Sequence, residues 1–193
     1  MIGGATRLLT GIALCGLCGA TLHAGITRTG APTYRCSTVA HLDRAAGPVD
    51  DYVAGVLLEY LARERLTRAP AGEDVAGLAR DVAALRARFD EAADLYANGA
   101  VTGTQLARMT ASLKGQLEAA EGRMAAAVNG SVLRSLPLDI EALVEMWDGI
   151  ANDVERRRAI IRATPLAGVR VFPPGRGVHR FDPATVKFPW ERV

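Results

Sequence analysis

Cys15, Cys18, Cys36 and His41 are the residues whose types and spacing could do chemistry in this chain. Two thiolates at i and i+3 on a tight turn can grip one face of a tetrahedral metal ion. A Cys-x4-His pair brought back by a hairpin can supply the other face, giving a Cys3His zinc site. With all four positions filled by protein, such a zinc is structural and keeps no open position for water. The set uses all three cysteines and one of three histidines. His23 lies close enough in sequence to rival His41 as the fourth ligand, and His179 reads as an ordinary polar residue. Gly16 and Gly19, which follow the first two cysteines, are expected to take positive φ in a knuckle that points its amides at sulfur.

The elements that must position these ligands follow from the pattern around them. Ala20 to Arg35 has room for one β-hairpin, with Arg28-Thr29-Gly30 as its turn. Pro48-Val49-Asp50 reads as a helix start, with Asp50 and Asp51 suited to the helix dipole. Val49, Val53, Val56, Leu57, Tyr60 and Leu61 mark its apolar face, and Ala69-Pro70-Ala71-Gly72 breaks it. Val75, Leu78, Val82, Leu85, Phe89, Ala92 and Tyr96 then form a seam in steps of three and four, stopped by Asn98-Gly99. A second seam, capped by Thr102 or Thr104, runs through Leu106, Met109, Leu113, Leu117, Ala120 and Met124. Together they predict an antiparallel coiled-coil hairpin. Gly103, Gly115 and Gly122 make its second arm the more labile one.

Asp139 to about Ala163 is expected as one further helix, with Arg156-Arg157-Arg158 on a solvated face near its end. Val169 to Phe172, Val178 to Phe181 and Thr185 to Trp190 read as three short strands. A lone three-strand tail is marginal, so it is expected to pack back on the ribbon. The fold class is therefore α+β: a small zinc β-ribbon completed by C-terminal strands, with an inserted helical hairpin. The expected divisions are 1–66 for the ribbon and first helix, 67–130 for the hairpin, and 131–193 for the returning helix and strands.

Charge is unevenly spread along the 193 residues. Residues 1–48 carry four arginines against one acid, residues 49–163 fourteen bases against eighteen acids, and residues 164–193 five bases against two acids. Two basic ends thus flank an acidic middle, and if the ends meet they form one basic module. Arg7, Arg28, Arg35 and Arg44 in or beside the ribbon, and Arg170, Arg176, Arg180 and Lys187 in the returning segment, are the candidate DNA contacts. Arginine forks suit phosphate and guanine edges, and Arg28 at the hairpin tip suits groove entry. The bland alternative is that these cations only solubilise a small β module. A second alternative is an exported helical protein, since Arg7 and the apolar run Leu8 to Ala24 resemble a signal segment. That run is interrupted by Gly11, Gly16 and Gly19, carries two cysteines, and is too short for a membrane span. A disulfide would leave one of three cysteines unpaired. A third reading is a zinc-ribbon protein-interaction module without DNA.

Leu8-Leu9-Thr10-Gly11, Cys15-x2-Cys18-Gly19, Tyr34-Arg35-Cys36 with His41, and Val49-Asp50 resemble the recombinase zinc β-ribbon of the large serine recombinases, the phage-type serine integrases. The resemblance continues through the coiled-coil arms to Arg157-Arg158-Ala159-Ile160-Ile161, and to Gly175-Arg176-Gly177, Phe181-Asp182-Pro183 and Val186-Lys187-Phe188-x-Trp190. It implies a cytoplasmic protein whose zinc ribbon binds double-stranded attachment-site DNA. It also implies a coiled coil that contacts other recombinase subunits and that a directionality factor can redirect, with no membrane partner. Such recombinases also carry a resolvase-like domain with a nucleophilic serine. No base is patterned near Ser37, Ser112, Ser131 or Ser135, so no catalytic residue is expected here, and the sequence reads as the C-terminal part of such a protein.

Overall fold

The computed structural model describes residues 7–39, 42–64, 74–175 and 180–191. Among them the fold is α+β, with five α-helices and two three-stranded sheets. The chain divides into two compact units, Met1–Arg68 with Val132–Val193, and Ala69–Ser131.

In the first unit, β2 (Leu22–Ile26), β3 (Pro32–Cys36) and β4 (Asp43–Ala45) form one antiparallel sheet. The β2–β3 turn sits where Arg28-Thr29-Gly30 predicted it. It is closed by Thr27 N–H donating to the Ala31 carbonyl at 2.7 Å and Ala31 N–H donating to Thr27 Oγ1 at 2.9 Å. The second sheet joins the two ends of the sequence. β1 (Leu14–Cys15) pairs in parallel with β5 (Arg170–Val171), which pairs antiparallel with β6 (Val186–Lys187).

Helix α1 (Ala46–Glu64) starts two residues before Pro48, so Asp50 lies beyond its first turn. Instead of serving the dipole, Asp50 accepts from the Tyr34 hydroxyl at 2.7 Å. Its face Val49, Val53, Leu57 and Leu61 is buried to within 1%. That face packs in one core with Leu9, Leu22, Tyr34, Leu143, Ile160, Ile161, Val171 and Phe188. Leu8, Leu9, Ile12 and Ala13, the start of the apolar run, belong to this core.

The single helix expected from Asp139 is two. α4 (Ile140–Gly149) and α5 (Val154–Arg162) are separated by a short connection, because Asp153 caps α5 by accepting from Arg156 N–H at 2.9 Å. The arginine triplet also departs from a solvated face. Arg157 donates Nε and Nη2 to the Trp147 carbonyl and lies 4.6 Å from that ring's centroid. Arg158 is buried and donates Nη1 to the carbonyls of Arg7 and Leu8, at 2.7 and 3.4 Å. Arg157 is half-buried, and the buried Arg158 is compensated by those carbonyls and by an ion pair of its Nε with Glu155 Oε1 at 3.2 Å. Of the C-terminal strands, Arg180 and Phe181 belong to no strand, a 3-10 turn (Pro183–Thr185) precedes β6, and Val178 lies outside the described residues.

The second unit holds α2 (Val75–Ala97) and most of α3 (Gly103–Arg134). Val82, Ala92, Leu113, Ala120 and Ala127 are its buried seam, and Arg86 bridges to Glu121 at 2.7 Å. Of the two candidate caps, Thr102 acts: Gln105 N–H donates to its Oγ1 at 3.3 Å, and Thr102 N–H donates to Gln105 Oε1 at 2.8 Å, a reciprocal capping box. The Ala69-to-Gly72 break lies outside the described residues.

Candidate metal centre and basic surface

The first two cysteines are set by a knuckle between β1 and β2. Gly19 N–H donates to the Cys15 carbonyl at 2.8 Å and Cys15 N–H to the Ala20 carbonyl at 2.7 Å. Gly19 has φ +74°, as a knuckle glycine should. Gly16 does not have positive φ; its reason is close approach. A Cβ there would stand 2.5 Å from Phe172 ring carbons, while Gly16 N–H donates to the Val171 carbonyl at 2.8 Å. The C-terminal strand therefore locks onto the knuckle through this glycine.

The third cysteine ends β3. Its N–H donates to the Leu42 carbonyl at 3.3 Å, so the chain leaving Cys36 turns back within six residues. The Sγ atoms of Cys15, Cys18 and Cys36 all lie within 4.8 Å of one another, with Cys18 and Cys36 at 3.5 Å. Zinc–thiolate bonds of about 2.3 Å in a tetrahedron separate sulfurs by about 3.8 Å. The cluster fits that requirement, and these three cysteines could hold a metal ion. Cys15 and Cys36 are buried and Cys18 is exposed.

Electrostatics differ between the thiols. The Thr38 hydroxyl, 3.3 Å from Cys36 Sγ, and the amides of Val39 and Thr38 pull the Cys36 pKa down to about 6, favouring the thiolate that a metal needs. Burial pushes Cys15 up. Thr38 also lies 3.6 Å from Cys18 Sγ, a contact that no spacing rule in the sequence signals.

His41 lies outside the described residues. His23 is not part of the cluster. On β2 it is the register partner of Arg35, whereas Cys36 faces Leu22, and neighbouring strand residues point to opposite faces.

The eight cations are placed unequally. Arg28 is exposed in the β2–β3 turn, and Arg180 is exposed before the 3-10 turn. Arg170 and Lys187 are register partners on β5 and β6, setting two cations side by side. Arg7 is half-buried, with its carbonyl held by Arg158. Arg35 is engaged by Asp43 Oδ2 at 2.9 Å and by the Ile26 carbonyl at 2.9 Å. Arg44 is only 6% exposed and lies over the Phe181 ring. Arg176 lies outside the described residues. No helix among the described residues is long and apolar enough to cross a membrane.

Comparison with family models, curated proteins and solved structures returned no match.

Proposed function

We propose that this chain is the DNA-binding and subunit-contact module of a site-specific recombinase of the large serine class, without catalysis of its own, built on a structural zinc ribbon. The observation that carries the reading is the convergence of Cys15, Cys18 and Cys36 at tetrahedral spacing. His41 completes the set in this proposal, since it directly precedes Leu42, whose carbonyl holds the Cys36 amide. Zinc would supply the cross-link that so small a β module needs, on the order of 10 kcal/mol of folding free energy.

Duplex DNA is the partner that the cation placement favours. Arg28 is exposed at the β2–β3 turn, the end of the sheet best placed to approach a groove. Arg170 and Lys187 sit directly opposite one another, an arrangement that costs stability unless an anion lies across it. The α2–α3 hairpin is the proposed contact for other recombinase subunits or a directionality factor. An exported protein with a removable leader is the weaker reading, because Leu9, Ile12, Ala13 and Cys15 are buried to 0–4% in the core and cleavage would strip them from it.

Native mass spectrometry of the intact chain tests the metal, with Cys36→Ser as control. One zinc per chain, lost in the variant, is expected; metal-free thiols would overturn the ribbon. Duplex binding across a salt series tests the partner. Four to six phosphate contacts give a log–log slope of roughly −4 to −5, and a salt-insensitive constant would remove DNA as partner.

A further inference from the structure

We propose that the cleft between β4, the first turn of α1 and Arg180 is a phosphate-binding subsite, and that it receives one backbone phosphodiester of a DNA duplex. The second half rests on the DNA-binding reading above; the first does not.

The central observation is an unsatisfied cation. Strand β4 alternates exposed, buried, exposed, which turns Arg44 inward between Asp43 and Ala45. Arg44 is 6% exposed, and its Nη1 is buried with no hydrogen-bond partner. A buried guanidinium nitrogen without an acceptor is costly and calls for an explanation. The ring of Phe181, 5.9 Å from Cζ, covers the group without offering oxygen. Burial lowers the pKa of Arg44 from its ordinary value, and the charge of Asp182 only partly opposes this.

The acids nearby are otherwise engaged. Asp43, which lines the cleft, is held by Arg35 at 2.9 Å. Asp182 accepts from Ala184 N–H at 2.9 Å and makes no ion pair with Arg44. Neither supplies an acceptor to Arg44 Nη1, which the protein itself seals from solvent, so an anion in the cleft would meet the other guanidinium nitrogens.

Two further features point the same way. The cleft is lined by Ala45 and Pro48, so it lies at the N-terminus of the 19-residue helix α1. That end carries the positive end of the dipole, and its first turn holds no acidic residue. A Cβ added at Gly47 would meet nothing within 4 Å, so the first turn is open. Arg180 forms the exposed rim. The cleft holds about 180 Å3, room for a tetrahedral oxyanion. A guanidinium fork, a helix N-terminus and a rim arginine are together suited to phosphate oxygens.

The test uses the full chain, Arg44→Met and Arg180→Met. Methionine at 44 replaces an unpaired buried cation by an apolar side chain of similar reach, so the variant is expected to fold. One arm compares melting temperature in sodium phosphate with sodium chloride at matched ionic strength. Phosphate should raise it for the wild type and not for Arg44→Met. The other arm measures duplex affinity by anisotropy over a potassium chloride series. Each variant should weaken binding about tenfold and make the log–log slope shallower by about one. Phosphate stabilisation with unchanged duplex binding in both variants would make the site one for free phosphate and overturn the diester assignment. Equal responses of all three proteins in both arms would overturn the subsite. If the wild type fails to bind duplex, the DNA reading falls, and the phosphate arm alone decides the subsite. Should Arg44→Met fail to fold, Arg180→Met carries both arms.

Discussion

The Tyr34 hydroxyl donates to Asp50 Oδ1 at 2.7 Å while accepting from the Leu9 amide at 2.9 Å, so one buried phenol ties the N-terminal segment, the β-hairpin and α1 together. Burial raises the Asp50 carboxyl from its ordinary 3.8 to about 6, against the lowering effects of the Tyr34 hydrogen bond and the Arg7 charge. Because the folded-state pKa lies above the unfolded one, the favourable contribution is fully present below about 3.8. It is lost as pH rises to about 6. The loss is on the order of 3 kcal/mol. Asp50→Asn keeps an acceptor for Tyr34 and removes the ionisation. The variant should match the wild type near pH 4 and exceed it in stability above pH 6, measured by urea unfolding across that range. Parallel pH profiles for the two proteins would count against a desolvated carboxyl.

What the sequence made legible, and what it did not, separates along physical lines. The seam from Val75 to Ala92 and the face Val49–Val53–Leu57–Leu61 were readable because burial imposes a period, and a period survives in one dimension; Tyr96, expected on the seam, is exposed. The cysteine cluster was readable because ligand spacing is a local constraint. The break between α4 and α5 was missed because continuous apolar spacing through Ile150 and Val154 outweighed one capping aspartate, Asp153. The inward turn of Arg157 and Arg158 depends on carbonyls at Trp147, Arg7 and Leu8, two of them about 150 residues away in sequence. The contact of Gly16 with Phe172 is likewise long-range, and a glycine beside a cysteine gives no hint of which chain passes over it. That His23 stands apart from the close cluster of three cysteines also depends on how β2 sits on β3, which no spacing in the sequence reveals.

Gly16→Ala tests the lock between knuckle and C-terminal strand. A methyl group 2.5 Å from the Phe172 ring must displace it, while the backbone that carries the ring is held by Phe172 N–H donating to the Thr185 carbonyl at 2.8 Å. Overpacking of this kind costs about 1–3 kcal/mol. Phe172→Ala should relieve it, so the double variant should be less destabilised than the two single changes added together. Additive losses in a double-mutant cycle would mean that the two residues do not clash.

In the helical hairpin, Gly115 and Gly122 lie inside α3, and a Cβ added at either would meet nothing within 4 Å. The helix carries their entropic cost without a packing benefit, so Gly115→Ala and Gly122→Ala should each stabilise α3 by up to about 1 kcal/mol. Hydrogen exchange of α3 amides in the full chain should slow accordingly, with amides in the β2–β3–β4 sheet unchanged. Faster exchange in α3 would show that these positions serve a contact that a methyl group disrupts.

Chelation should separate the two units. In the zinc-ribbon proposal the sheet β2–β3–β4 and the knuckle draw on the Cys15, Cys18 and Cys36 cluster, whereas α2 and α3 are held by their own seam and the Arg86–Glu121 bridge. With EDTA, amides around Cys15 to Cys36 should lose protection while those near Val82, Ala92, Leu113 and Ala120 keep it. Far-ultraviolet circular dichroism should retain most of its helical signal, because the hairpin's two helices need no metal for their backbone bonds. Loss of protection in both units at the same EDTA concentration would mean that the hairpin draws its stability from the ribbon. The seam would then be only part of what holds it.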